Sequence, residues 1–186
     1  VRGAGAVSVI EQMLARYPTQ ERGHALREIM QEIALAGLQR GGFFDKAAFY
    51  GGACLRIFHG LARFSEDLDF SLLAPDRGFS LEPYFDAMRG EFAAFGFQVT
   101  ITAHAKSVDS AVVSAFVKQG TSIHDVQVHG QKTLKIKFEV DTDPPPGFAT
   151  EERLLVPPYS FYAKCYALPD LHAGKMHALL VRKWKS

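Results

Sequence analysis

The sequence predicts an α+β domain built around a mixed sheet. Three observations carry that expectation. Two long helix-like stretches open the chain, with apolar residues recurring at three-to-four spacing. The middle of the chain then breaks into short apolar runs punctuated by glycines and prolines. Near its end, KTLKIKFEVD over residues 132–141 alternates charged and apolar residues strictly, as a strand with one buried face must. Helices first, mixed strands and helices next, and a last helix together point to α+β.

In order, residues 6–17 and 19–40 read as helices. In the second, Leu26, Ile29, Met30 and Ile33 form one apolar stripe, and Gly41-Gly42 is the stop. Residues 47–50 read as a short buried strand, 53–59 as a short helix closed by Gly60, and 67–72 as an acidic strand. Ser80 can cap a helix reaching Phe95, with Pro83 in its first turn and Gly96 after its end. Residues 97–105 and 111–118 are rich in Val, Ile, Thr and Phe and read as strands, while 120–130 is ambiguous. Pro144-Pro145-Pro146 ends the 132–141 strand, 161–166 is one more strand, and Pro169 opens a helix through Trp184. There is no internal repeat and no low-complexity tract.

At 186 residues the chain is long enough for one packed domain with a small appendage. With 47% hydrophobic and 22% charged residues the balance is globular, and a net charge of +1 announces no strong global field for nucleic acid or membrane. Any basic site must therefore be local. No run of eighteen apolar residues exists, so no membrane partner is expected, and the N-terminus lacks a signal-peptide pattern. Cys54 and Cys165 sit in no metal spacing and read as buried free thiols; the expected compartment is the cytoplasm.

The chemistry centres on Phe49–Leu72. On an extended strand Asp67 and Asp69 point the same way, roughly 7 Å apart along the chain, while Leu68, Phe70 and Leu72 point into a core. Two carboxylates side by side repel unless a cation joins them, and a hard divalent ion such as magnesium suits oxygen ligands. Glu139, on the polar face of 132–141, completes a two-metal site if its strand lies beside the acidic one. Lys135 and Lys137 share that face and suit phosphate oxygens. Gly51-Gly52 lets backbone approach a ligand, and a helix beginning at Ala53 aims unpaired N–H groups at it. Each part has a plainer reading: a glycine pair before a helix is common, a lone DxD is often a solvated edge, and KxKxE is often an exposed sheet face. Their co-occurrence in a strand–turn–helix–strand setting favours metal-dependent phosphoryl or nucleotidyl chemistry.

Gly51-Gly52, a short helix, Asp67-Leu68-Asp69 and the later Phe138-Glu139-Val140 resemble the signature of polymerase-β-like nucleotidyltransferases. The blocks LRIFHGLARFSEDLDFSL, KIKFEVDTDPPP and AGKMHALLVR, in that order, further resemble the AbiEii toxin family, relatives of the MenT toxins. The resemblance covers most of residues 47–182. It implies a polymerase-β-like fold with a small mixed sheet flanked by helices and a helical C-terminal region. It implies a catalytic domain over 1–156, with two N-terminal helices, and the start of a truncated helical region over 157–186. Asp67, Asp69 and Glu139 would hold Mg2+ and, with Lys175, carry catalysis. Gly51, Gly52 and Ala53 would cradle the phosphates of a nucleoside triphosphate, with Arg63, Ser65, Lys137 and Arg182 lining the same pocket. A cognate antitoxin protein and a tRNA acceptor end are the implied partners.

Two departures from the family stand out. Ala53 replaces the usual Ser or Thr, so a hydroxyl that could touch phosphate is missing. The chain stops at Ser186, ahead of the family's Arg-Asp…Asp motif. Both favour an alternative reading, a catalytically idle nucleotide- or RNA-binding module. A small-molecule nucleotidyltransferase is a third reading, because no acceptor pocket is marked in the sequence.

Overall fold

A computed structural model describes residues 3–104, 121–129, 134–156 and 160–181. Helices α1 (Gly3–Leu14) and α2 (Arg22–Arg40) come first, joined by a 3-10 turn at Thr19–Glu21. Strand β1 (Ala47–Tyr50) leads directly into α3 (Gly51–His59), and β2 (Asp67–Leu72) follows. After a 3-10 turn at Glu82–Tyr84 come α4 (Phe85–Ala94), β3 (Gln98–His104), β4 (Thr121–His129), β5 (Leu134–Asp141), β6 (Thr150–Leu155), β7 (Phe161–Tyr166) and α5 (Leu168–Val181).

The strands form one mixed sheet of seven in the order β3-β4-β5-β2-β1-β7-β6. Neighbours β1–β2, β3–β4, β4–β5 and β6–β7 pair antiparallel, while β2–β5 and β1–β7 pair parallel. The mixed sheet and its flanking helices agree with the expected fold class. β1, β2 and β7 begin and end where the apolar runs predicted. The strand expected over 111–118 lies outside the described residues, as do the last residues of the final helix.

Helix ends shift by a few residues, α1 covering Gly3–Leu14 and α4 Phe85–Ala94, and three further differences matter more. α3 begins at Gly51, so both glycines belong to its first turn instead of preceding it. The ambiguous 120–130 stretch supplies β4. β6, TEERLL, was not expected: it is an outer strand carrying Glu151, Glu152 and Arg153, the kind of charge that protects an open edge but hides the alternation. β6 and β7 lie on opposite sides of residue 156, and both belong to the central sheet.

The core joins α2, α3 and α4 to one face of the sheet. Leu68, Phe70 and Leu72 of β2 and Ile136, Phe138 and Val140 of β5 are buried there, with Ile29, Ile33 and Leu38 from α2, Leu55 from α3 and Met88 and Phe92 from α4. Phe70 is central: its ring lies 5.0 Å from Phe43, 5.2 Å from Phe49 and 6.1 Å from Phe138. Burying one such side chain stabilises by about 1.5–3 kcal/mol, so this layer fixes the pleat of β2 and β5. That pleat decides what the opposite face presents.

Candidate active site

The opposite face carries the charged residues. Asp67 and Asp69 are half-buried on β2, while Leu68 and Phe70 between and beside them are buried. β5 runs parallel alongside, in the register Asp67↔Lys137, Asp69↔Glu139 and Ser71↔Asp141. Register partners on neighbouring strands share a face, so the three expected carboxylates and Lys137 meet on one surface. Tyr50 of β1 is opposite Asp69 from the other side.

The electrostatics follow from crowding. The Asp69 carboxyl is pushed up to about 7, first by burial and then by the charges of Glu139 and Asp67, with Lys175 and Lys137 pulling the other way. Asp67 is also raised, by burial first; Lys137 opposes that and Glu139 adds to it. The Lys137 ammonium forms a short ion pair with Glu139 Oε1, and that bond is the main reason its pKa is raised. Burial and then Asp69 raise the Tyr50 phenol, keeping it protonated.

The start of α3 closes against this surface. Gly51 has φ +79°, and a Cβ there would stand 2.2 Å from Asp69 Oδ2, so backbone and carboxylate touch only because the residue is glycine. A Cβ on Gly52 would meet Ser65 Oγ at 3.1 Å and Lys175 Nζ at 3.4 Å. Lys175, on α5, therefore reaches across to the glycine pair and to the side of Asp69. The N-cap, Tyr50, gives no side-chain bond to the helix, so first-turn N–H groups of α3 remain for an anion.

Helix α2 holds the chain that enters β2. The buried Gln31 donates Nε2 to the Ser65 carbonyl at 3.0 Å. Arg56 bonds Glu28 at 2.7 Å and the carbonyls of Leu61 and Ala62 at 2.9 and 3.1 Å, and its guanidinium lies over the Phe64 ring at 4.1 Å. Tyr17 Oη donates to the second oxygen of Glu28 at 2.9 Å. Arg27 pairs with Glu66 at 2.5 Å, and its charge favours the ionised form of Asp67.

Of the residues expected in the site, Asp67, Asp69, Glu139, Lys137, Gly51, Gly52, Ser65 and Lys175 are brought together. Arg63 is exposed on the turn before Ser65. Ala53 is wholly buried in the core, not turned to an open surface. Arg182 lies outside the described residues. Tyr50, Arg27 and Gln31 join the site without having been expected. Tyr50 is adjacent to the glycine pair, which is a local signal; the α2 residues look like an ordinary polar helix face in sequence.

The donor set is of the kind a hard divalent cation takes: three carboxylates from adjacent strands, with Asp69 made hard to ionise by burial first and then by the other two. As the side chains stand, no three acidic, imidazole or thiol groups among the described residues are gathered closely enough to hold an ion. Glu139 is engaged by Lys137.

The chain resembles MenT4, a nucleotidyltransferase toxin from Mycobacterium tuberculosis, with a TM-score of 0.59 at 18% identity over 91% of this chain and 57% of that one. It resembles JHP933 from Helicobacter pylori with a TM-score of 0.51 at 17% identity, over 87% and 58% of the two chains. Such likenesses establish the fold, and the chain spans under three-fifths of the length of either structure. No curated protein sequence matches it. The family described as nucleotidyl transferase AbiEii toxin, type IV toxin–antitoxin system, matches residues 33–185, from the middle of α2 to beyond α5, and the chain therefore belongs to the AbiEii nucleotidyltransferase toxin family.

Proposed function

We propose that the chain carries the catalytic face of a magnesium-dependent nucleotidyltransferase toxin that moves a nucleoside monophosphate from a triphosphate to a nucleic-acid acceptor such as the tRNA 3′ end. The observation that carries this reading is the register of Asp69 against Glu139, with Asp67, Gly51-Gly52 and Lys175 gathered around it. A bound divalent ion would neutralise charge on the triphosphate and lower the pKa of the attacking hydroxyl. Asp67, Asp69 and Glu139 would hold it.

The chain's own groups do the rest. First-turn N–H groups of α3 donate to phosphate oxygens, and the absence of side chains at Gly51 and Gly52 lets those oxygens come close. Lys175 Nζ, beside Gly52, balances charge on the departing phosphates. The acceptor oxygen forms its bond to the α-phosphorus as the bond to the bridging oxygen breaks. Pyrophosphate leaves, and the hydroxyl proton passes to a carboxylate or to solvent. Ser65, fixed by Gln31, lines the same opening. A cognate antitoxin and a cytoplasmic setting accompany the family reading.

The test is labelled transfer from each nucleoside triphosphate to bulk tRNA, with and without magnesium, using the full-length protein and its Asp69→Asn variant. Loss of transfer in a variant that still melts cooperatively supports the proposal; undiminished transfer rejects it. The Lys137–Glu139 pair favours a second reading, a module that binds nucleotide or RNA without transferring it. Nucleotide binding without any labelled product would support that reading.

A further inference from the structure

A groove of about 580 Å³ opens beyond the C-terminal ends of β2 and β5 and away from the carboxylates. Leu73, Pro75, Asp143, Pro145, Phe148 and Thr150 are among its walls. It is a built feature. The Asp76 N–H donates to the Thr142 carbonyl at 3.0 Å, tying one wall to the other, and the Asp143 N–H donates to Asp141 Oδ1 at 3.1 Å. Gly147, at φ +89°, turns the chain so that Phe148 follows the proline run. Ala149 is then fixed on both sides: its N–H donates to Asp170 Oδ2 at 3.0 Å, and its carbonyl accepts from the Ala167 N–H at 2.9 Å.

The groove is joined to the carboxylate face by a row of rings. Phe148 stacks on Tyr166 with centroids 4.3 Å apart and planes 16° apart. Tyr166 stacks on Tyr50 at 5.1 Å, and Tyr50 is the register partner of Asp69. Tyr166 Oη bonds Ser71 Oγ at 2.8 Å, which stops the middle ring from swinging.

We propose that this groove takes an unpaired base of a single-stranded RNA acceptor, stacked on Phe148, behind the nucleotide whose hydroxyl reacts. The chemistry of the walls points to a base and not to phosphates: an aromatic face, prolines, and a carboxylate at Asp143 able to accept from an exocyclic amine. None of the lining residues is basic among those described. Two exposed cations belong to the segments next to its walls instead. Arg77 lies two residues beyond Pro75, and the Lys46 carbonyl accepts from the Leu73 N–H at 2.8 Å. These suit the strand's phosphates. From Asp69 to Leu73 is four strand residues, roughly 13 Å, which places the groove behind the reacting nucleotide and not at it.

This inference rests on the nucleic-acid acceptor reading and is tested apart from transfer. The probe is a short fluorescein-labelled unstructured RNA, followed by anisotropy with no nucleoside triphosphate and no metal. Phe148→Ala and Phe148→Leu are expected to weaken binding about tenfold, with Phe148→Trp restoring it, in keeping with the usual worth of one stacked base. Phe148→Leu keeps apolar cover on Tyr166, so it separates lost stacking from lost fold. Nucleoside triphosphate binding in magnesium should be unchanged in all three. Asp69→Asn, which removes transfer under the main proposal, should leave RNA binding intact. Wild-type RNA affinity in the folded Phe148→Leu protein overturns the inference, as does a loss confined to triphosphate binding, which would make this the donor's base site.

Discussion

Lys137 and Glu139 share one face of β5 and are joined by a short ion pair, opposite Asp67 and Asp69 in the register of β2. The ammonium thus balances part of the charge of three crowded carboxylates. A divalent cation recruiting Glu139, as the proposed function requires, would compete with it for the same oxygen.

Lys137→Met should therefore tighten divalent-ion binding in the absence of nucleotide by up to about fivefold, the usual worth of a half-exposed ion pair. The metal-free variant should also melt lower than wild type and recover more on adding the ion, because its carboxylates are left unbalanced. Calorimetric titration with manganese and melting in a chelator read both effects. Unchanged or weaker ion binding would assign Lys137 to phosphate alone.

Glu32 gives a pH prediction away from the carboxylate face. Its carboxyl is pushed up to about 8, first by burial and then by Glu28, with Arg16 opposing. Between its ordinary range near 4.5 and about 8, the folded chain holds a proton that the unfolded chain has released. That contribution to stability is complete at low pH and is lost as pH rises through about 8. Glu32→Gln should be closest to wild type near pH 5 and gain on it steadily up to about pH 9, as read by urea denaturation across pH. A constant difference between the two proteins across that range would refute it.

The parts legible in the sequence were those set by local periodicity. β2 carries its two carboxylates on one face because Leu68, Phe70 and Leu72 must be buried, and the same logic put Lys137 and Glu139 together on β5. That these two strands are parallel neighbours is a long-range fact, since β3 and β4 intervene in the chain. Alternation within either strand is silent on it; the family resemblance implied it. Lys175 is a similar case. Nothing about its position in α5 marks it, and only the packing of α5 beside α3 brings Nζ to Gly52. Gln31 and Arg27 carry no sequence signal, because a helix that supports a loop by single hydrogen bonds has no pattern of its own. β6 is hidden because charges on an edge strand obscure the period of two.

Gly51 separates backbone strain from site geometry. Gly51→Ala meets two penalties, a positive φ and the Asp69 carboxylate 2.2 Å from the new methyl. Gly60→Ala meets only the first, since its φ is +69° and no atom lies within 4 Å of a Cβ there. Each strained position should cost about 1–3 kcal/mol of stability. Transfer should fall at least a hundredfold in the Gly51 variant, in which Asp69 is displaced, and no more than a few-fold in the Gly60 variant. Equal losses of transfer in the two folded proteins would show that contact between Gly51 and Asp69 does not matter to the chemistry.

Ala53 looks in sequence like a missing hydroxyl, and the fold gives that substitution a different meaning. The residue is wholly buried among the apolar side chains of the core, one position past the glycines that border Lys175 and Ser65. A serine hydroxyl buried there would bond a neighbouring backbone carbonyl or remain unsatisfied at about 1–3 kcal/mol; neither brings it to a phosphate. Ala53→Ser should thus leave the transfer rate and the triphosphate KM within about threefold of wild type while lowering Tm. Paired kinetic and melting measurements decide the matter. A tenfold gain in rate would mean that the first turn of α3 opens when nucleotide binds, exposing position 53, which is buried in the nucleotide-free fold.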